Sequence, residues 1–270
     1  MSKTFRTKSY KIQTHKVTDA RGARFAVLTD LHGLVFGKNH SLLLQAIRSA
    51  RPDAVLILGD MIVRSECSSF PEAESLLFQL AGEFRVYYAL GNHEYKLLIS
   101  QEHRGLYLDY EKRLTEAGIC FLHNEHAPLE ICGTDYTFYG LELPIEYYGK
   151  PFSPKLSLGE TERLLGKPAP DSVNILMAHN PKYGDTYFSW GADLILSGHY
   201  HGGILRFNEN HGLACPQYLL FPPYCCGAFH RGEQHMIVSA GLGEHTIPVR
   251  IHNPRELIIV TVSPKQTERG

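Results

Sequence analysis

The stretch Leu194-Ile195-Leu196-Ser197-Gly198-His199-Tyr200-His201-Gly202-Gly203 organises the reading of this chain. A short apolar run ends in a small-residue turn that carries two imidazoles two positions apart, and the two glycines after it let the backbone swing close to whatever the turn holds. A strand end presents metal ligands in this way, since neutral imidazole is the commonest protein ligand for zinc, iron, nickel and related ions. Histidines at this spacing also pack or face solvent on half-buried strands. The metal reading therefore needs acid and imidazole groups at other strand ends.

Working outward, residues 24–29 read as a buried strand and run into Asp30-Leu31-His32-Gly33. Beyond Asn39 or Ser41 as a cap, Leu42, Leu43, Ala46, Ile47 and Ala50 recur with helical period until Pro52. Residues 54–58 form a second strand, ending in Gly59-Asp60. This is the βαβ rhythm of a sheet whose functional groups gather at the carboxyl ends of its strands. Ser69-Phe70-Pro71-Glu72 reads as a capping box opening a helix through Leu76, Leu77 and Leu80 to Gly82, and a third strand over 85–90 delivers Gly91-Asn92-His93-Glu94. Leu106, Tyr110 and Leu114 predict a helix over 104–117, closed by Gly118.

From 119 to 141 the pattern is that of antiparallel hairpins. Residues 142–170 read as a loop or lid region, with a short helix near 161–165, forming a wall of the cleft. A buried strand over 173–178 runs into His179-Asn180-Pro181, and residues 193–196 lead to the opening stretch. Residues 207–231 read as irregular, with closing strands over 236–240 and 257–262. No internal repeat or linker divides the chain, which is expected to form one domain over 1–270.

Composition narrows the classes. The chain has 270 residues, 43% hydrophobic and 20% charged, with a formal net charge of -1, which gives no electrostatic reason to expect nucleic acid as a partner. No apolar run approaches a membrane span. The basic segment over 1–20 carries Lys3, Arg6, Lys8, Lys11 and Lys16 without an apolar core, so it reads as a solvated tail and not as a secretion signal. Six cysteines with no C-x-x-C pair fit reduced thiols and a cytoplasmic location, with Cys225-Cys226 packed or incidental. The 15 histidines raise the expectation of metal binding.

Five strand ends thus carry one kind of payload: Asp30 and His32, Asp60, Asn92 and His93, His179, and His199 and His201. Each alone has a bland explanation as a turn, a helix entry or a packed strand end. Together they do not, because packing gives no reason to place acid, amide and imidazole groups after successive apolar strands. In order and type they resemble the signature of the calcineurin-like metallophosphoesterases. The GNHE turn followed by Tyr95, the SGHxHGG turn and the late Pro248-Val249-Arg250 are most similar to the bacterial YkuE/YaeI-like branch.

The resemblance implies a four-layer α/β/β/α sandwich of two mixed β-sheets flanked by helices. It also implies two divalent transition-metal ions: Asp30, His32 and His201 would hold one, Asn92, His179 and His199 the other, and Asp60 would bridge them. Mixed nitrogen and oxygen ligands suit Mn, Fe, Zn, Co or Ni better than Ca. A metal-bridging hydroxide would attack phosphorus in line, with His93 as an imidazolium acid or charge stabiliser and Glu94 either orienting His93 or facing solvent. The expected activity is hydrolysis of a phosphodiester, monoester or pyrophosphate bond in a small phosphorylated substrate. The alternatives are a catalytically silent scaffold for protein binding, which would need none of these ligands, and a nuclease, which lacks a basic aromatic stripe.

Three departures from the branch stand out. Tyr200 replaces the usual Thr between the paired histidines, Ile204 replaces a common Gln, and the export or anchoring segment often found at the start is missing, which argues against a lipid-linked or envelope role. His123, His126, His230, His235 and His245 belong to no motif and read as surface or packed residues, with His245 the one nearest to a cleft role.

Overall fold

The computed structural model describes residues 4–64, 69–150, 152–213, 215, 217, 219–244 and 249–265. Two six-stranded mixed sheets stack face to face. The first runs in the order β1 (Arg6–Thr14), β12 (Glu256–Pro264), β2 (Ala23–Leu28), β3 (Ala54–Ile57), β4 (Val86–Tyr88) and β5 (Ile119–Phe121). The second runs β10 (Gly227–Arg231), β11 (Gln234–Val238), β9 (Leu194–Ser197), β8 (Val173–Ala178), β7 (Thr134–Leu141) and β6 (His126–Ile131). β2 to β5 are mutually parallel, as are β7, β8, β9 and β11, so the ends bearing the candidate ligands gather on one side of each sheet.

Both faces of the central strands are covered, which is why those strands read as unbroken apolar runs. Period-two alternation sends Phe25, Val27, Leu56 and Leu58 into the space between the sheets, where they meet Phe138, Ile175, Met177 and Leu196. Phe25 sits edge-on to Tyr136 and Phe138, with ring centroids 5.5 Å away in both cases. The alternate residues Ala26, Leu28, Val55 and Ile57 face the helices α1 (Ser41–Ala50), α2 (Ser69–Ala81), α3 (Asn92–Leu98) and α4 (Arg104–Glu116). The second sheet turns Leu176 and Ile195 toward α5 (Leu158–Leu165) and α6 (Gly184–Trp190). The four layers expected from the sequence are present, each buried large side chain contributing about 1.5–3 kcal/mol.

Several local expectations are corrected. The N-terminal segment is not a solvated tail: residues 6–14 form β1, an edge strand paired in parallel with β12, and Ile12 is buried between the sheets. Lys11 alternates with Tyr10 and Ile12, and Lys8 lies over the Tyr10 ring, charges that suit an edge strand protected from further pairing. The α1 entry uses neither Asn39 nor Ser41 as a side-chain cap; a 3-10 turn over Lys38–His40 with left-handed Asn39 and His40 leads into it. Residues 119–121 do not belong to a hairpin but extend the first sheet, and the antiparallel pair in this region is β6 with β7. The Asn-His-Glu turn is the first turn of α3, and the irregular region ends in β10.

Candidate metal centre

The carboxyl ends of β2, β3 and β4 in one sheet converge with those of β8 and β9 in the other. Backbone hydrogen bonds lock the turns together: the Asp30 amide donates to Gly59 O at 3.0 Å, His32 to Asp60 O at 3.1 Å, and Gly198 to His179 O at 3.0 Å. Asp30, His32, Asp60, His199 and His201 all have left-handed backbones, with φ of 52°, 49°, 53°, 64° and 51°. L side chains seldom adopt that region, and a cluster of such residues marks a site where the fold overrides local preference. Gly198 is required there, because a Cβ would collide with the Thr29 hydroxyl and the Asp30 carboxylate.

Each carboxylate spends one oxygen on position and turns the other inward. Asp30 Oδ2 accepts from the Thr29 hydroxyl at 2.8 Å and from the His199 amide at 3.1 Å. Its Oδ1 lies 3.3 Å from His201 Nε2 and 4.0 Å from His32 Nε2, and those two nitrogens are 3.4 Å apart. Asp60 Oδ1 accepts from the His93 amide at 2.8 Å while Oδ2 lies 3.2 Å from His179 Nε2. His179 Nδ1 donates to the Leu58 carbonyl at 2.6 Å, which fixes that nitrogen's proton and leaves Nε2 facing the carboxylates.

Three groups of ligand atoms, each within 4.8 Å of one another, result: Asp30 with His32 and His201, Asp60 with His179 and His199, and His32 with Asp60 and His93. Asn92 opens α3 beside them. Asp30 Oδ1, Asn92 Oδ1, His179 Nε2 and His199 Nε2 are buried without an aligned hydrogen bond among the described residues. Buried polar atoms ordinarily have partners, so this concentration of bare lone pairs fits a cation. His and Asp side chains are thus placed to hold metals, and the donor set of imidazole nitrogen and carboxylate oxygen fits divalent transition ions.

The electrostatics agree. Burial raises the Asp30 pKa. Burial would also raise that of Asp60, yet His179, His93 and His32 together hold it well below the usual carboxylate range. Burial opposes charge on His179, but the two aspartates prevail and raise its pKa to about 9, so its imidazolium offsets part of the negative charge of the acid pair. His32, His199 and His93 are pushed down by burial. The Nδ1 of His93 accepts the Arg64 amide at 3.1 Å, which places the ring proton on Nε2.

Glu94 follows neither expectation. It is fully buried; Oε2 accepts the Asp60 amide and Oε1 the Met61 amide, both at 2.8 Å, and Oε1 also accepts the Tyr88 hydroxyl at 2.9 Å. It positions the Asp60 turn instead of His93. Oε2 further accepts from Gly91 N at 3.2 Å, the reach-back of a Glu three residues past a helix start, a pattern legible in Gly91-Asn92-His93-Glu94. From the 142–170 region, the Tyr148 ring meets His199 edge-on at 5.1 Å.

Two positioning residues carry roles the sequence does not reveal: Arg250 stands out only within the late Pro248-Val249-Arg250 stretch and Asn253 not at all, because their partners are backbone groups distant in the chain. Arg250 donates to the carbonyls of Gly243 at 2.6 Å and Ala240 at 2.8 Å and reaches 3.4 Å from His201 Nδ1. Asn253 donates to the His201 and Gly203 carbonyls at 2.5 and 2.6 Å. Tyr200 is fully buried beside His199, and Cys225 and Cys226 are buried free thiols. His123 lies between Glu111 and Glu142, His126 rests on Tyr139, and His230 faces His235 across β10 and β11. His245, Cys67 and Pro248 lie outside the described residues.

A family model described as calcineurin-like phosphoesterase matches residues 23–203, which contain every candidate ligand. The chain belongs to the calcineurin-like phosphoesterase family. It is 29% identical to a transmembrane protein with metallophosphoesterase domain from Danio rerio, over 87% of this chain and 52% of that protein. It is 26% identical to an uncharacterized metallophosphoesterase of Aquifex aeolicus, over 96% of this chain and 92% of that one. The chain thus spans about half the length of the Danio rerio relative. A solved structure, TT1561 of Thermus thermophilus, is 13% identical, with a TM-score of 0.49 over 83% of this chain and 91% of that chain. Among the described residues no helix is long and apolar enough to cross a membrane.

Proposed function

We propose that the chain hydrolyses a phosphate ester, a diester, monoester or pyrophosphate bond, as a member of the YkuE/YaeI-like branch. The observation that carries this reading is the convergence of Asp30, Asn92, His179 and His199 ligand atoms, buried without an aligned hydrogen bond among the described residues, on one cluster. Asp30, His32 and His201 would hold one divalent ion, Asn92, His179 and His199 would hold the second, and Asp60 would serve both. Two such ions supply Lewis-acid polarisation of the phosphoryl group and acidified water.

The chain's own groups do the rest. With only two carboxylates among seven ligands, the loaded cleft stays positive and draws the phosphate in. The Leu58 carbonyl keeps His179 in the tautomer that presents Nε2. His93, with Nδ1 occupied by the Arg64 amide, offers its Nε2 proton to the leaving oxygen. Glu94 keeps the Asp60 turn rigid, and Tyr148 narrows access of water to His199. A cytoplasmic setting belongs to the same proposal, on the strength of free thiols such as Cys120 and Cys225.

Elemental analysis of protein purified without chelator, combined with a screen of monoesters, diesters, nucleotides and pyrophosphates, tests this reading. About two transition-metal ions per chain and hydrolysis of at least one class are expected. Metal-free protein that stays inactive with Mn, Co and Ni would refute it.

A further inference from the structure

A cavity of about 570 Å³ opens next to the metal centre, with Phe5, Arg6, Arg250, His252 and Arg255 in its lining. Its position follows from strand direction. β12 runs antiparallel to β2, with Ile258 opposite Val27, so the residues leading into β12 lie at the Asp30 end; β1, parallel to β12, brings Arg6 opposite Glu256. The cavity and the metal centre share a wall, since Arg250 lines the one and reaches 3.4 Å from His201 Nδ1 in the other.

The cavity carries excess positive charge. Arg6 and Arg206 both bind the single carboxylate of Glu256, through Arg6 Nε at 3.2 Å and Arg206 Nη1 at 2.8 Å. Arg255 pairs with Glu244. The acceptors that hold Arg250, the Ala240 and Gly243 carbonyls, are uncharged. Arg6, Arg250 and Arg255 line the cavity, and together with Arg206 behind Glu256 they share two paired carboxylates. The Nε atoms of Arg250 and Arg255 are also buried without a hydrogen-bond partner among the described residues. Guanidinium forks with spare donors are the groups that bind phosphate and similar oxyanions.

We propose that this cavity is an anion subsite for a second phosphate, or a comparable oxyanion, carried by the substrate whose phosphoryl group reacts at the metal centre. The inference rests on the phosphoesterase reading and adds to it a substrate class: phosphate esters with a further anionic group on the side of Arg250. Arg6 and Arg255 clamp that group, and Arg250 stands between the two anions, screening their mutual repulsion.

The test uses the metal-loaded full chain with Arg6→Gln and Arg255→Gln. Arg6→Gln leaves Glu256 paired with Arg206, so it preserves the fold even where Arg255→Gln does not; a thermal melt of each variant checks this. Titration with inorganic sulfate by calorimetry is expected to show binding about tenfold weaker in each folded variant. In parallel, a nucleoside 5′-(p-nitrophenyl phosphate) is compared with the same ester bearing a 3′-phosphate. The wild type should prefer the second by about tenfold through KM, and the preference should collapse toward unity in the variants. Sulfate binding equal in variants and wild type overturns the subsite. Weakened sulfate binding with an unchanged substrate preference overturns the substrate assignment and leaves a site for a free anion. A protein that hydrolyses no ester but loses sulfate binding in the variants refutes the phosphoesterase reading while the anion site stands.

Discussion

Glu94 holds the backbone of Asp60, its Oε2 accepting the Asp60 amide at 2.8 Å inside a fully buried pocket. Its other oxygen takes the Met61 amide and the Tyr88 hydroxyl. Glu94→Gln replaces one acceptor with an NH2 that faces an N–H or O–H donor, so the left-handed Asp60 turn loses part of its support. Metal affinity is expected to fall by about 10–100-fold, with activity restored by excess metal. Unchanged metal titration in Glu94→Gln would show that the turn holds itself.

His93 touches the cluster through its backbone amide, which donates to Asp60 Oδ1, while its ring is fixed by the Arg64 amide at Nδ1. His93→Ala keeps the amide and removes the ring. Turnover of a chromogenic phosphodiester should drop by about 10²–10⁴-fold with metal content close to wild type. If elemental analysis shows metal and turnover falling together, His93 is a ligand instead.

His123 bridges α4 to the end of β7, with Nε2 3.0 Å from Glu111 Oε1 and Nδ1 2.8 Å from Glu142 Oε2. Those hydrogen bonds, Glu111 first, raise its pKa to about 10. The folded state thus binds the proton more tightly than the unfolded chain does. The stabilisation is complete below an unfolded pKa of about 6.5 and fades as pH rises toward 10. Urea denaturation should find His123→Gln less stable than wild type by about 1–2 kcal/mol at pH 6, with the gap closing by pH 10. A gap independent of pH contradicts the charged bridge.

Ile12 is buried in the core between the sheets although the segment around it is strongly basic. Ile12→Ala should cost about 2–3 kcal/mol in denaturant unfolding. A solvated tail would show no change, as would a strand that pairs without packing.

The sequence by itself determined the doubly covered strands and the groups at their ends, and the resemblance those groups carry implied the layers. Strands 54–58 and 173–178 are apolar on both faces, and only a sheet covered on both sides satisfies such runs. The Asp, Asn and His groups after them stand out because no packing demand puts them there. What only the tertiary structure decided depends on partners far apart in the chain. β1 became a strand because β12, some 250 residues later, offers it an edge. Glu94 became the support of Asp60 because helix α3 begins just after the neighbouring strand β4 and its first turn, 34 residues beyond Asp60, points back at it. Arg250 gained its place behind His201 through backbone carbonyls that carry no side-chain signature. Local patterning fixes what each segment must bury, while hydrogen bonds to distant backbone atoms exist only after the sheets have stacked.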